Sequence, residues 1–377
     1  MMENCDVLVI GAGIAGTSAA YELAASGSVI VLERESQPGY HTTGRSASQF
    51  LETYGNSVIR RFTRASRAFF FTPPDGFAEQ PLLSARPALF IAREDQLDEL
   101  ARFENEIRSL TPNVERLSAR RTKEIVPILK EAYVASSVIE LEAKDIDVHA
   151  LHQGYLKSLR RRGGKVVTDA EVTALSRVGG AWVTETRAGS FSAPVVVNAA
   201  GAWCDEIAKL VGVRPIGLVP RRRTAFTFDP PPGLDISAWP VTIDIDEQFY
   251  FKPEAGRILA SPADETPSPP CDARPEEIDV ALAVERVHAA TTLTVRRIVH
   301  KWAGLRSFVP DKSLVIGFDD ALEGFFWLAG QGGYGIQTAP ATARTVASLI
   351  TAGDMPDDIA KLSLRAEEIA PSRLLRT

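Results

Sequence analysis

A strand–helix–strand unit at residues 7–34 constrains the chain more than any other stretch. Val7-Leu8-Val9-Ile10 runs into Gly11-Ala12-Gly13-Ile14-Ala15-Gly16, and a second β-branched run, Val29-Ile30-Val31-Leu32, ends in Glu33-Arg34. Short continuous apolar runs bounded by glycines read as neighbouring buried parallel strands. Between them Ala19, Ala20, Leu23 and Ala24 form an apolar stripe at helical spacing, and Gly27 is placed to end the helix.

The glycines divide the work of a dinucleotide site. Gly11 allows the tight turn out of the first strand, and Gly13 lets a pyrophosphate approach the backbone. Gly16 lets the helix pack closely, while the helix N-terminus offers free N–H groups and the positive end of its dipole. Glu33 closes the second strand, where a carboxylate can accept from both ribose hydroxyls. The same acid would repel a 2′-phosphate, which disfavours NADP.

With 377 residues the chain is too long for one compact core and fits two domains. A net charge of −6 argues against a nucleic-acid partner, because phosphate neutralisation needs a basic face. The three cysteines, Cys5, Cys204 and Cys271, lie far apart without metal-ligand spacing, which suggests a reducing compartment and no disulfide framework. His149 and His152 share a helix face, but no further clustered ligand is visible, so no metal is expected. The apolar stretch from Val7 to Ala25 follows an acidic N-terminus and already belongs to the first unit, so it is not read as a signal peptide. No run reaches membrane-spanning length, and the expected location is cytoplasmic.

Downstream, Gln37 to Ala47 is a turn-rich loop with many donors, and Ser57–Phe71 carries apolar residues at helical spacing. From Leu82 to Ala135 the pattern suits an insertion outside the nucleotide-binding core. It holds a strand at Ala88–Ile91, a helix from Glu94 to Leu110, and a charged turn before Glu124. Asp147 caps a helix running to Arg162, and Pro194–Asn198 is a buried strand leading into the small residues Ala199-Ala200-Gly201-Ala202 and Trp203. Residues 214–259 are strand-rich, and Pro262 to Pro275 form a proline-rich loop. Phe325–Ala329 is another buried strand, followed by a glycine loop, 330–337, and a helix from Thr338 to Ile350.

Taken together, several motifs resemble the D-amino acid oxidase, glycine oxidase and sarcosine oxidase superfamily of FAD enzymes, and within it the D-arginine dehydrogenases. They are Pro38-Gly39-Tyr40-His41 with Gly44-Arg45-Ser46-Ala47, Ala199 to Asp205, Ala290 to Thr294, Trp302 to Phe308, and Gln331 to Gln337. The resemblance implies an α/β fold, α+β overall. A Rossmann-like FAD-binding domain of the glutathione reductase type (1–80, 140–203 and 303–377) would join a mixed-sheet substrate domain (81–139 and 204–302). It implies non-covalent FAD held by Gly11, Gly13, Ile14, Ala15, Gly16, Glu33 and Arg34, then by Thr43, Gly44, Arg45, Ser46 and Ala47. Further along the chain the contacts would be Val172, Ala200, Gly201, Trp203, Gly304 and Arg306, and finally Gly332, Gly333, Tyr334, Gly335, Ile336 and Gln337. His41 is the position at which a covalent flavin link would arise.

By the same resemblance, Arg223 and Arg306 would clamp a substrate α-carboxylate and Tyr250 would donate to it. The Gly333 carbonyl would accept from the α-amine, with Tyr54 and Gln337 at the pocket. A guanidinium fork grips a carboxylate bidentately, and in a strand Arg222 should face away from Arg221 and Arg223. Two positions depart from the D-arginine enzymes: Ala88 stands where a carboxylate would meet the substrate guanidinium, and Gln49 replaces a histidine. With Leu51 adding apolar character, apolar or uncharged D-amino acids are the expected substrates. The implied reaction is hydride transfer from Cα to the flavin, giving an imino acid that water converts to a 2-oxo acid and ammonia. The electron acceptor, dioxygen or a quinone-like carrier, is left open. Alternatives are an N-methylated or cyclic imino acid, a 2-hydroxy acid, or a flavin-binding protein without catalysis.

Overall fold

The computed structural model describes residues 2–374; Met1 and residues 375–377, at the two ends of the expected FAD-binding pieces, lie outside the described residues. Strands Val7–Ile10 and Val29–Leu32 pair in parallel, with Val7 opposite Val29, and all eight residues are buried. They belong to a six-stranded sheet in the order Lys165–Val167, Val29–Leu32, Val7–Ile10, Val195–Asn198, Phe325–Ala329 and Val315–Phe318. Only the last pairing is antiparallel.

Strand alternation splits the side chains of this sheet between two cores. Val7, Val9, Val29 and Val31 pack under helices Ile14–Leu23, Val148–Arg161 and Gly335–Thr351, against Ala19, Ala20, Leu151 and Ala339. Leu8, Ile10, Ile30 and Leu32 face the other way, onto Leu175, Trp182 and Phe191 of a four-stranded sheet. Burial on both faces is why these strands read as unbroken apolar runs.

The turn after the first strand is built by contact. Gly11 has φ +105°, and a Cβ there would lie 2.5 Å from the Ala199 carbonyl oxygen. A Cβ on Gly16 would lie 1.9 Å from the Gly11 carbonyl oxygen, so the helix rests directly on the turn. Gly27 does not end the helix, which stops at Leu23 with Ala24 as its cap. Its hydrogen instead leaves room for Asp6, whose carboxylate accepts from the Ser28 N–H and hydroxyl, each at 2.7 Å, where the chain re-enters the sheet.

The second body is a nine-stranded mixed sheet. Val219–Phe228 pairs antiparallel with both His300–Phe308 and Arg257–Ser261. The sheet continues through Tyr250–Glu254 and Val241–Asp244 to Ala88–Ala92, which Val241–Asp244 meets in parallel, and on to Ser136–Glu140. One face packs Phe226, Phe251 and Leu89 under Val280, Ala283 and Val287 of helix Glu277–Ala290. The expected domain boundaries at 139/140 and 302/303 fall inside strands Ser136–Glu140 and His300–Phe308.

The charged turn expected before Glu124 is instead strand Val114–Ser118 followed by helix Ala119–Ile125. Val114 and Leu117 are its only buried apolar positions, too few to reveal a period, while Arg116 and Arg121 ion-pair at the surface with Glu104 and Glu124. The last long helix begins at Gly335, three residues ahead of Thr338, because the Tyr334 carbonyl already accepts from the Thr338 N–H.

Replacing Gly16 tests the contact between helix and turn. Gly16→Ala should lower stability by about 2–4 kcal/mol, since its methyl meets backbone that cannot rotate away. Ala15→Gly, on the same turn of helix, should lose only about 1 kcal/mol. Urea unfolding of both variants measures the difference, and equal losses would mean that the helix simply backs away.

Candidate active site

Two cavities, of about 310 and 250 Å³, meet at Gly13, Thr42, Thr43, Ala199, Gly201 and Ala202, which line both. Together they run from the C-terminal edge of the parallel strands to the face of the nine-stranded sheet. This is where open α/β sheets bind ligands, beyond the carboxyl ends of their strands.

The first cavity holds Gly11, Glu33, Arg34, His41, Val172, Ala200 and Trp203. The Glu33 carboxylate is buried and accepts from the N–H groups of Ala12 (2.9 Å) and Glu35 (3.0 Å), which orient it. Burial raises its pKa, and those two N–H groups work against the shift. Trp203 supplies a flat wall, with the Arg34 guanidinium 4.9 Å and the His41 ring 4.7 Å from its centre. His41 itself contacts the Glu35 carboxylate at 2.9 Å.

The second cavity is bounded by the N-terminus of helix Gly335–Thr351, where Gly335 and Ile336 line it. The first N–H groups of a helix have no partner within it, so this wall presents donors and a positive dipole end. Ile14, Ala15, Ser46, Ala47, Gly304 and Gly332 also line this cavity.

Across from that helix lie the two arginines. In the pairing of Val219–Phe228 with His300–Phe308, Arg223 stands opposite Gly304 and Arg221 opposite Arg306. Opposed residues share a face, so Arg221, Arg223 and Arg306 project to one side and Arg222 to the other. Arg222 accordingly reaches Asp279 at 2.9 Å on the helix behind the sheet, and also Glu276. Arg223 and Arg306 both line the cavity, with Tyr54 and Tyr250. The Arg306 guanidinium lies against Gly333, where a Cβ would come within 2.9 Å of its Cζ, and donates to the Tyr54 hydroxyl at 3.4 Å. Among the described residues Arg306 has no carboxylate within ion-pair distance, while Arg223 meets Glu265 at 3.1 Å.

Gly16, Gly44, Tyr334 and Ala88 stand outside both cavities, while Gln337 and Arg45 line the second. Both glycines are closed against backbone, and a Cβ on Gly44 would lie 2.7 Å from the Gly39 carbonyl oxygen. Tyr334 also stays out, packed between Tyr54 and Phe308. Gln337 reaches the wall, but its amide is used within the protein, accepting from the Leu51 N–H (3.2 Å) and donating to the Thr63 hydroxyl (3.0 Å). Arg45 lines the cavity while its guanidinium binds the Ala273 and Ala303 carbonyls and Asp272, tying the proline-rich loop to the turn-rich loop of residues 37–47. Ala88 is fully buried beneath the wall and does not line the cavity.

Sequence reasoning missed Phe90, Val241, Ile243, Glu247 and Lys252, which also line the second cavity. Alternation points to Val241 and Ile243 once their strand is recognised, but nothing local marks Glu247 in its hairpin. Lys252 is buried and held by Asp145 (2.8 Å) and Glu254 (3.0 Å). Among the described residues no group of His, Cys, Asp or Glu could hold a metal ion, and no helix is long and apolar enough to cross a membrane.

The arrangement fits a dinucleotide carrying a ring system. It has an oriented acid at one end, glycine backbone at the middle, and a helix N-terminus beside a cationic, tyrosine-bearing chamber at the other. The FAD dependent oxidoreductase (DAO) family matches residues 6–349. YurR, an uncharacterized oxidoreductase of Bacillus subtilis (strain 168), is 25% identical over 359 residues, spanning 91% of this chain and 94% of its own length. The L-proline dehydrogenase from P. horikoshii has a similar fold, with TM-score 0.82 and 22% identity, covering 100% of this chain and 99% of that one. Glycine oxidase from Geobacillus kaustophilus also gives 0.82 at 22% identity, covering 93% and 95%. A glycine turn, an acid-tipped second strand and a match over most of its length make this chain a member of the DAO family of FAD-dependent oxidoreductases.

Proposed function

We propose that the protein oxidises D-amino acids with apolar or uncharged side chains, as an FAD-dependent dehydrogenase or oxidase. The observation that carries this reading is the pair Arg223 and Arg306, two guanidinium groups turned into one cavity from neighbouring strands. Like charges gathered in a partly desolvated chamber are unfavourable unless an anion joins them. Glu265 partly neutralises Arg223, but among the described residues Arg306 has no carboxylate within ion-pair distance, so a bound α-carboxylate would complete the set. The Tyr54 and Tyr250 hydroxyls can donate to the same anion, and the Gly333 carbonyl can accept from an amine beside it. Bound FAD supplies the hydride acceptor. The chain's own residues would hold the substrate by its carboxylate, keep the amine in place and limit water around the reacting carbon.

The wall beyond the clamp supports apolar side chains, since Leu51, Phe90, Val241 and Ile243 line it. The acid that lines this cavity is Glu247, an exposed residue of the hairpin before Tyr250. A cationic side chain would meet it near solvent, where such a pair is worth only about 0–1 kcal/mol. The D configuration is carried over from the motifs shared with the D-arginine dehydrogenases. Proline, which the P. horikoshii relative is named for, and 2-hydroxy acids belong in the same substrate panel. A cytoplasmic location fits the three free thiols.

Three outcomes are expected. First, the flavin is held without a covalent bond: no cysteine among the described residues lines either cavity, and His41 contacts Glu35 and Trp203 in the first cavity, away from the clamp. Acid precipitation should leave a colourless pellet and a yellow supernatant. Second, Arg306→Lys should keep FAD but lose about 2–4 kcal/mol in kcat/KM, because an ammonium cannot reproduce a bidentate fork. Near-normal kcat/KM would remove Arg306 from the clamp. Third, in anaerobic stopped-flow reduction D-leucine and D-phenylalanine should outrun D-arginine about tenfold or more. A tenfold preference for D-arginine would sink the apolar assignment, and Glu247→Gln would then show whether that acid is responsible.

A further inference from the structure

Glu140, at the end of strand Ser136–Glu140, takes no part in the clamp or the cofactor cavity, yet it is a carboxyl group only 3% exposed. Its cross-strand neighbours are Ala88 and Val114, both buried. Among the described residues it has no cation within ion-pair distance, and it makes one hydrogen bond, from the Thr53 hydroxyl at 2.6 Å. A buried acid with a single partner needs a reason, because an uncompensated carboxylate is costly in such a place.

Its partner belongs to the segment that carries Leu51 and Tyr54 to the cavity wall. Three hydrogen bonds tie Leu51 and Thr53 of that segment to their surroundings. The Leu51 N–H donates to Gln337, the Thr53 hydroxyl to Glu140, and the Thr53 carbonyl accepts from Arg60 Nε at 2.7 Å. The residue after Thr53 is Tyr54, whose hydroxyl meets Arg306.

Other charged groups around Glu140 are already engaged. Glu52, on the same segment, pairs with Arg67 at 2.9 Å, and Arg60 of helix Ser57–Phe71 pairs with Glu106 of helix Leu97–Arg108 at 2.6 Å. Glu142, just beyond the strand, accepts from Asn113 at 2.6 Å. Burial raises the Glu140 pKa to about 7 against the Thr53 hydrogen bond, with Glu52 and Glu142 adding to the rise and Arg60 opposing it.

We propose that Glu140 is a positioning residue for the clamp. As a carboxylate it grips Thr53 and thereby sets Tyr54 against Arg306; on taking up a proton it loosens that grip. A charge-assisted hydrogen bond is about twice as strong as a neutral one, which gives protonation its leverage. The proposal rests on the carboxylate-clamp reading of the cavity, though not on which amino acid enters.

The test uses the FAD-loaded enzyme as wild type, Glu140→Gln, Thr53→Val and Thr53→Ser. Two quantities are followed from about pH 5.5 to 9: KM and kcat for the best amino acid, and the Kd of benzoate from the flavin spectrum. Benzoate has no amine, so its own ionisation does not mask that of the protein. In wild type, KM and the benzoate Kd should rise about three- to tenfold as pH falls through the neutral region, with kcat changing less. Glu140→Gln should abolish this inflexion, Thr53→Val should bind weakly at every pH, and Thr53→Ser should restore the wild-type profile.

The proposal is overturned if Glu140→Gln keeps the inflexion, or if Thr53→Val binds benzoate as tightly as wild type above neutral pH. Should Glu140→Gln not fold, the two Thr53 variants decide the matter alone. If no amino acid reduces the flavin while the benzoate Kd still follows Glu140, the substrate assignment fails and the positioning role stands. If Arg306→Lys binds benzoate like wild type, the clamp reading and this proposal fall together.

Discussion

The antiparallel pairing of Val219–Phe228 with His300–Phe308 is the contact on which the candidate site depends. It joins segments far apart in the chain and turns Arg223 and Arg306 to one face, while Arg222 goes to the helix behind. A slip of one residue in that register would send Arg306 to the opposite face from Arg223. The backing of the sheet makes such a slip costly, because Phe226 and Phe228 would have to leave the core under helix Glu277–Ala290. The apolar side of the sheet therefore keeps the polar side in place.

The glycine turn after the first strand depends on a different constraint, the absence of side chains. Gly11 and Gly16 are pressed against the Ala199 carbonyl and against one another, so the turn has no room for a methyl group at either position. Close packing of this kind leaves the helix N-terminus and the strand ends exposed to a ligand rather than to protein. Gly333 applies the same principle at the other end, where the missing side chain lets the Arg306 guanidinium lie on the backbone. The two ends thus share one device, a missing side chain that lets groups approach the backbone closely.

Much of this was legible before the fold was known. Helix Ser57–Phe71 and strand Phe325–Ala329 have the bounds that their periodicity suggests, and Asp147 caps its helix through the Ala150 N–H at 2.8 Å. These elements bury long apolar stripes or runs, which dominate their local sequence. The failures share the opposite property. Strand Val114–Ser118 buries two residues amid charges, and Gly27, read as a helix stop, turned out to make room for Asp6. Gln337 does line the cavity as expected, but its amide is bonded to Leu51 and Thr63, because a buried amide must satisfy its own donors and acceptors first.

By itself the sequence determined the nucleotide-binding unit, the order of the principal strands and helices, and the residue types that can hold a carboxylate. Each follows from local spacing: period two or 3.6 for burial, glycine where backbone must come close, arginine where a planar fork is needed. Only the tertiary structure decided which of those residues share one chamber. Ala88 was expected at the substrate and lies beneath the wall, Glu247 was unremarked and lines it, and Glu140 became notable only through Thr53 of a distant segment. Such relations arise from strand pairing across many tens of residues, and no local pattern records which partner a strand will find.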